Sequence, residues 1–308
     1  MLYAMDLRSL EYFVAVAEER SFTRAAQRCY VTQPTISAQM QALERELGEP
    51  LFDRAQRSVT LTDGGRLLLP YALECLRAVN DAKAEFSART GLLRGELRIG
   101  TGGGVEHTTV PMILGELRKK YPGIDIDVTE ATSTPLLEMV LQGHLHAAVI
   151  ARPNDDLPAA ISAAPMFDEQ IVAVFDSDVY PDPGSVVSLE HVAALPTITY
   201  PRTSALRGRI EAAADSTGIP IHVHYAANDV RLQLAFATQG LGVALCAASD
   251  PALEDTHLTV RALTPAIRFE KIMVWRNDIP TSAPLRAFFD LWKIMRMTAE
   301  EDAAAPLG

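Results

Sequence analysis

The chain has 308 residues, 48% apolar and 22% charged, with a formal charge of −11, which allows two or three well-cored domains and excludes a disordered or membrane-embedded protein. No stretch approaches the roughly 20 apolar residues of a bilayer-crossing helix, and the opening MLYAMDLRSL has neither a basic leader nor an apolar core for export. Three scattered cysteines, Cys29, Cys75 and Cys246, exclude a disulfide scaffold and point to the reducing cytoplasm.

Leu7, Leu10, Phe13, Val14 and Ala17 recur at three- and four-residue steps and predict a first amphipathic helix. Ser21 opens a short second helix, TRAAQRCY, whose Ala25, Ala26 and Cys29 are small enough for another helix to approach closely. After Val31, Thr32 caps a third helix with Pro34 in its first turn. Ile36, Met40, Leu43 and Leu47 form its buried stripe and Gly48 ends it. Thr35, Ser37 and the Gln33 side chain are left facing outward at the N-terminal end. Free N–H groups and a partial positive charge there suit a phosphate, and Ser, Thr and Gln exchange hydrogen bonds with base edges in a major groove. A short helix, a tight turn and a second helix of this polarity make a helix-turn-helix. On periodicity alone, a small helical bundle with a polar surface fits equally well.

In PLFDRAQRSVTLT, Val59 and Leu61 alternate with Thr60 and Thr62. Two strands joined through RAQRS form a wing carrying Arg54 and Arg57, cations suited to a narrow minor groove or a phosphate. Residues 1–65 hold seven Arg and no Lys against nine Asp or Glu, a formal −2. Any DNA contact therefore rests on a few placed arginines rather than a basic field.

The run from LEYFVAVAEERSFTRAAQRCYVTQPTIS through LERELG and LFDR to LTDGG closely resembles the N-terminal domain of LysR-type transcriptional regulators. The resemblance implies that Thr32, Gln33, Pro34, Thr35 and Ser37 meet the major groove, that Arg24 of SFTRAA joins the DNA contact and that Arg54 serves the wing. Many members carry a basic residue after the recognition-helix serine, where this chain has Ala38.

From Asp63 to Thr90, Leu68, Ala72, Cys75, Val79, Ala82 and Phe86 step 4, 3, 4, 3, 4, a heptad seam. The seam suits pairing with a second chain, and a helix facing its own core remains an alternative. The resemblance implies dimerisation here, placing two reading heads on a two-fold DNA site.

Beyond Gly91, GELRIG, IDIDVTEA and AAVIA read as strands alternating with helices, predicting a parallel α/β sheet. A second set runs from MFDEQIVAVF to VALCAAS, and FEKIMVWRND with SAPLRAFFDLWKIMRM returns to the first. Double crossing makes two lobes with a ligand-binding cleft between them. GTGGGVEH has the wrong spacing for a dinucleotide fingerprint and lacks a P-loop lysine, so it reads as an anion-holding strand-to-helix turn. His144/His146 and His222/His224 share strand faces but have no third metal ligand in view, so no metal or other cofactor is expected. No nucleophile signature supports an enzyme.

LLEMVLQGHLHAAVI and LAFATQGLGVAL resemble the effector-binding domain of the same family, itself similar to periplasmic binding proteins. That resemblance implies a cleft lined by Thr101, Gly102, Gly103, Thr132 and Ser133 from one lobe and Thr203 and Ser204 from the other, with Arg152 and Arg202 adding charge. Such donors suit a carboxylate or other small anion. TYPRTS resembles the branch that answers to muconate-like acids. The peroxide-sensing branch needs a cysteine near 202–215, and this chain has none there.

The expectation is therefore a cytoplasmic transcription regulator, not an enzyme. It has an N-terminal all-α winged helix-turn-helix (1–62), a long linker helix (63–90) and a C-terminal α/β two-lobed periplasmic-binding-protein-like effector domain (91–302). Lobe I comprises 91–165 and 268–302, and lobe II 166–267. Its expected partners are double-stranded promoter DNA, an organic-acid effector and itself as dimer or tetramer. RNA polymerase is a further candidate partner, and no membrane contact is expected. The alternative is an α/β solute-binding or enzymatic domain carrying a helical interaction module.

Overall fold

The computed structural model describes residues 5–53, 59–90, 92–105, 108–182 and 184–304, with side chains through 296. The chain divides into two compact units, Met1–Gly91 with Gln142–His144, and Leu92–Leu141 with Leu145–Gly308.

In the first unit α1 (Leu7–Glu19), α2 (Phe22–Arg28) and α3 (Gln33–Leu47) precede a two-stranded wing, β1 (Phe52–Asp53) and β2 (Thr60–Leu61). A reciprocal box starts α1: Asp6 Oδ1 accepts from the Ser9 N–H at 2.8 Å and Ser9 Oγ from the Asp6 N–H at 2.9 Å. Ser21 caps α2, and Gly48, at φ +81°, terminates α3. Phe13, Ala25, Ile36, Met40 and Leu43 are fully buried in one core. Leu47 is exposed, because the last turn of α3 runs past that core. The wing pairs antiparallel, Phe52 opposite Leu61 and Asp53 opposite Thr60. Glu44 ties it to α3 by accepting from the Leu51 N–H at 2.9 Å.

Helix α4 (Asp63–Arg89) starts at Thr62, whose hydroxyl accepts from the Gly65 N–H. Of its heptad residues, Ala72 is fully buried and Leu68 half-buried, both packed on the core of the head. Val79 is half-buried, while Cys75, Ala82 and Phe86 are exposed. The N-terminal part of the seam thus packs on its own head, while Cys75, Ala82 and Phe86 face outward.

The second unit contains β3 (Arg94–Thr101), α5 (Thr109–Lys120), β4 (Gly123–Glu130), α6 (Ser133–Leu141), β5 (Ala147–Ala151), β6 (Ile161–Phe175) and β7 (Val186–Ser188). It continues with α7 (Leu189–Ala193), β8 (Thr197–Thr199), α8 (Ala205–Thr217), β9 (Val223–Ala226), α9 (Val230–Thr238), β10 (Val243–Ala247), β11 (Thr259–Thr264), β12 (Arg268–Arg276) and α10 (Ala283–Ala304). The strands run β4-β3-β5-β12-β6-β10-β8-β9, with β11 joining β6 to β7.

The sheet is mixed rather than all parallel. β3 is parallel to β4 and β5, but β12 is antiparallel to both β5 and β6, because it enters from the other lobe as a return strand. β6 serves both lobes without a break: its residues 161–170 pair with β12, and 171–175 with β10 and β11. Leu97, Ile113, Leu117 and Phe288 centre one lobe's core, and Phe175, Ile198, Ile210 and Leu245 the other's. Among the described residues no helix is long and apolar enough to cross a membrane.

Candidate functional site

The exposed start of α3 carries a small network. Thr32 is the N-cap by position, but its side chain accepts no backbone N–H of the helix. Its hydroxyl lies 2.8 Å from that of Thr35, and the Gln33 amide donates to Ser37 Oγ at 2.8 Å. Thr32, Gln33, Pro34 and Thr35 are exposed and Ser37 half-buried, while Ile36 is fully buried between them. Four polar groups are thereby bonded to one another in two pairs on one surface.

The flanking cations are already engaged. Arg24 donates to the carboxylate and the backbone carbonyl of Glu19, and Arg28 pairs with Glu18 and Glu19. Arg54 and Arg57 lie outside the described residues.

One residue that the sequence reading passes over stands beside this surface. Tyr30, in the turn between α2 and α3, has φ +55° and is 96% exposed. A left-handed backbone is unfavourable for a tyrosine and common for asparagine. Since Tyr30 packs on nothing within the head, Tyr30→Asn should stabilise the first unit by about 0.5 kcal/mol or more. Urea unfolding of the two proteins measures this, and a lowered midpoint would contradict it.

In the second unit the structure brings Gly102 and Gly103, Thr132 and Ser133, and Ser204 to one cavity between the lobes. Thr101 lies behind it, buried at the end of β3. Arg152, Arg202 and Thr203 do not line it. Arg152 is turned to Glu270, whose carboxylate accepts from its Nε at 2.6 Å. Arg202 and Thr203 are exposed, and Thr203 contributes only its carbonyl, which accepts from the Thr134 N–H across the lobes at 3.1 Å. Three further bonds cross the same gap: Asn154 Nδ2 donates to Gly208 O at 2.9 Å, and Arg209 donates to the Arg152 and Pro153 carbonyls at 3.3 Å.

The cavity has a volume of about 30 Å³, room for a water or two. The lobes are closed on it.

Lys271, Glu169, Tyr200, Asn228 and Asp250 also line the cavity, and sequence reasoning missed all five. The Lys271 ammonium, 3% exposed, donates to Gly103 O at 2.6 Å. Glu169 accepts from the Ser249 N–H at 2.5 Å, and Asp250 from the Ala252 N–H at 3.0 Å. Tyr200 accepts from the Ala247 N–H at 3.0 Å. Burial pushes its phenol well above the usual range, and the charges of Asp250 and Glu169 push the same way.

The histidine pairs are tied into sheets: His146 Nδ1 accepts from the Arg98 N–H at 2.9 Å, and His224 Nδ1 from the Thr197 N–H at 3.3 Å. No metal-holding group of three or more His, Cys, Asp or Glu occurs among the described residues. Of GTGGGVEH, Glu106 and His107 lie outside them.

A helix-turn-helix head with a wing, followed by a two-lobed α/β unit closing on a polar cavity, defines a ligand-responsive DNA-binding regulator. Residues 7–66 match the model of the bacterial regulatory helix-turn-helix protein, lysR family, and residues 90–293 that of the LysR substrate binding domain. The chain belongs to the LysR family of transcriptional regulators, which are not enzymes. It is 33% identical to the HTH-type transcriptional regulator IlvR of Caulobacter vibrioides over 307 residues, covering 97% of this chain and 99% of that one. The fold matches crystalline CbnR, a LysR family transcriptional regulator, with a TM-score of 0.68 at 22% identity, over 94% of this chain and 99% of that one. It also matches a full-length OxyR variant from Pseudomonas aeruginosa, with a TM-score of 0.69 at 23% identity, over 93% and 97%.

Proposed function

We propose that the N-terminal end of α3 enters the major groove of promoter DNA, with Arg54 and Arg57 of the wing on flanking DNA and Arg24 on a phosphate. We further propose that α4 pairs with its counterpart in a second chain, and that a small carboxylate-bearing effector occupies the interlobe cavity. The observation that carries the DNA reading is the exposed, mutually bonded set Thr32–Thr35 and Gln33–Ser37 at a helix N-terminus. CbnR, which shares the fold, has been solved complexed with its target DNA. The closed cavity admits an organic acid only when the lobes part. An effector with different affinity for open and closed forms shifts their populations, and through them the spacing of the two heads.

The test is binding to the intergenic DNA beside the protein's own gene across a salt series. Ser37→Ala should weaken specific binding by about 0.5–1.5 kcal/mol for each base-edge hydrogen bond it removes. Arg54→Ala should weaken specific and non-specific binding alike and flatten the salt slope by about one per head. Binding indifferent to both substitutions would refute the assignment of the heads.

Pairing through α4 has its own readout. Cys75 is exposed and, with Leu68, Tyr71, Leu7 and Leu10, lines an apolar groove of about 750 Å³. A second helix in that groove would cover the thiol, so maleimide labelling of Cys75 should slow as protein concentration rises. A rate independent of concentration would argue against the seam. Cys246 should stay unlabelled until the protein unfolds, since burial holds its thiol protonated.

A further inference from the structure

Arg24 and Arg28 are all the positive charge that α2 has, and a spacing of four residues puts them on one face of the helix. Against that face α1 ends on Glu18 and Glu19. Arg24 Nε donates to Glu19 Oε2 at 3.2 Å, and a terminal nitrogen of the same guanidinium donates to the Glu19 carbonyl. Arg28 donates to the Glu18 carboxylate and stands 3.7 Å from Glu19 Oε1. Both arginine side chains are at least half exposed.

Stability of the head does not account for these carboxylates. The C-terminal end of a helix is its negative pole, so two acidic residues closing α1 oppose its dipole. Exposed ion pairs add little to stability and are screened by salt. Their effect falls instead on a competing anion. A free guanidinium that takes a DNA phosphate releases a counterion from the duplex, and that release drives binding. A guanidinium drawn away from a carboxylate leaves that carboxylate to recruit a cation from solution, and the two events cancel. Arg24 and Arg28 can then meet phosphate while adding little to the affinity.

We propose that Glu18 and Glu19 are intramolecular competitors for DNA phosphate, occupying Arg24 and Arg28 in the free head and holding its affinity for every duplex below what its arginines would give. This rests on the proposed phosphate contact of α2 and adds the residues that weaken it. The exchange of partners is the same on any sequence. The competitors therefore shorten retention on all DNA and leave the preference read by α3 unchanged.

The experiment measures binding of the full chain to the intergenic duplex beside its own gene and to a random-sequence duplex of equal length, across a salt series. Glu18→Gln with Glu19→Gln should raise affinity for both duplexes about tenfold or more at low salt, with their ratio unchanged, and steepen the salt slope by about two per head. Adding Arg24→Ala and Arg28→Ala should abolish most of that gain. Thermal unfolding without DNA should leave the head's transition in the glutamine variant close to wild type. Affinity and slope that stay at wild type in the glutamine variant, while its arginines still matter, overturn the competitors and leave the α2 contact standing. An equal gain with and without the arginines also overturns them, since net charge alone would then act. Arginines without effect on DNA binding in the glutamine variant would remove the α2 contact and the competitors together.

Discussion

Gly65→Ala is expected to uncouple the DNA-reading head from the linker helix, although alanine is the better helix former by about 1 kcal/mol. A Cβ on Gly65 would lie 2.2 Å from the Leu51 carbonyl oxygen and 2.7 Å from Leu61 Cδ2. The carbonyl has no room to retreat, because it accepts from the Thr62 N–H at 3.0 Å. Thr62 is also the cap of α4, and its hydroxyl donates to Pro50 O at 2.6 Å. One methyl group therefore forces β1, β2 and the start of α4 apart together. Overpacking of this kind costs about 1–3 kcal/mol and more against rigid backbone, a large share of what a head of this size possesses. Denaturant unfolding should show the head's transition shifted or abolished with the second unit's unchanged, and specific DNA binding should fall with it. A variant that binds DNA like wild type at 37 °C would show that this junction yields.

The contrast between head and cavity shows what a linear sequence records. The stripe Ile36, Met40, Leu43 is legible because one helix repeats its contact every turn, and all three are fully buried. Tyr30 is not legible, since its left-handed backbone follows from the turn that α2 and α3 impose. The glycine turn and the α6 start are legible because each is a local strand-to-helix or loop-to-helix junction.

Lys271, Glu169, Tyr200, Asn228 and Asp250 come from separate segments and carry no shared spacing. Lys271 alone leaves a trace. It sits in FEKIMVW, a strand whose Phe269, Ile272, Met273 and Val274 are buried on both faces, where a lysine needs a specific partner. The lobe boundary is hidden for a related reason. β6 runs through both lobes as one strand, and its change from FDEQ to the buried, apolar IVAVF coincides with the switch of partners between Gln170 and Ile171 but reads equally as one strand entering a core. Net charge also misleads at this level, since the arginines available to DNA are partly held by Glu18 and Glu19 of their own head.

Gly100→Val should have the opposite distribution of effects, sparing the head and disabling the effector response. Gly100 lies on β3 two residues before the cavity turn, and a Cβ there would stand 2.6 Å from Leu136 Cδ2, 2.6 Å from Leu145 Cδ1 and 3.0 Å from Ala148 Cβ. Leu136 is fully buried on α6 and Leu145 nearly so, so either side chain can yield only by pressing on a packed core. The nearest relief is outward movement of α6 from the sheet. That movement carries Thr132 and Ser133, the cavity's hydroxyl donors, away from Lys271 across the turn. The added bulk should lower the stability of the second unit by about 3 kcal/mol, visible as a drop in its thermal transition with the head's transition unchanged. Because α3 is untouched, specific DNA binding without effector should persist, while the effector-dependent change in that binding should disappear. Retention of a wild-type effector response would mean that α6 need not hold its position, and would remove the N-terminus of α6 from the ligand site.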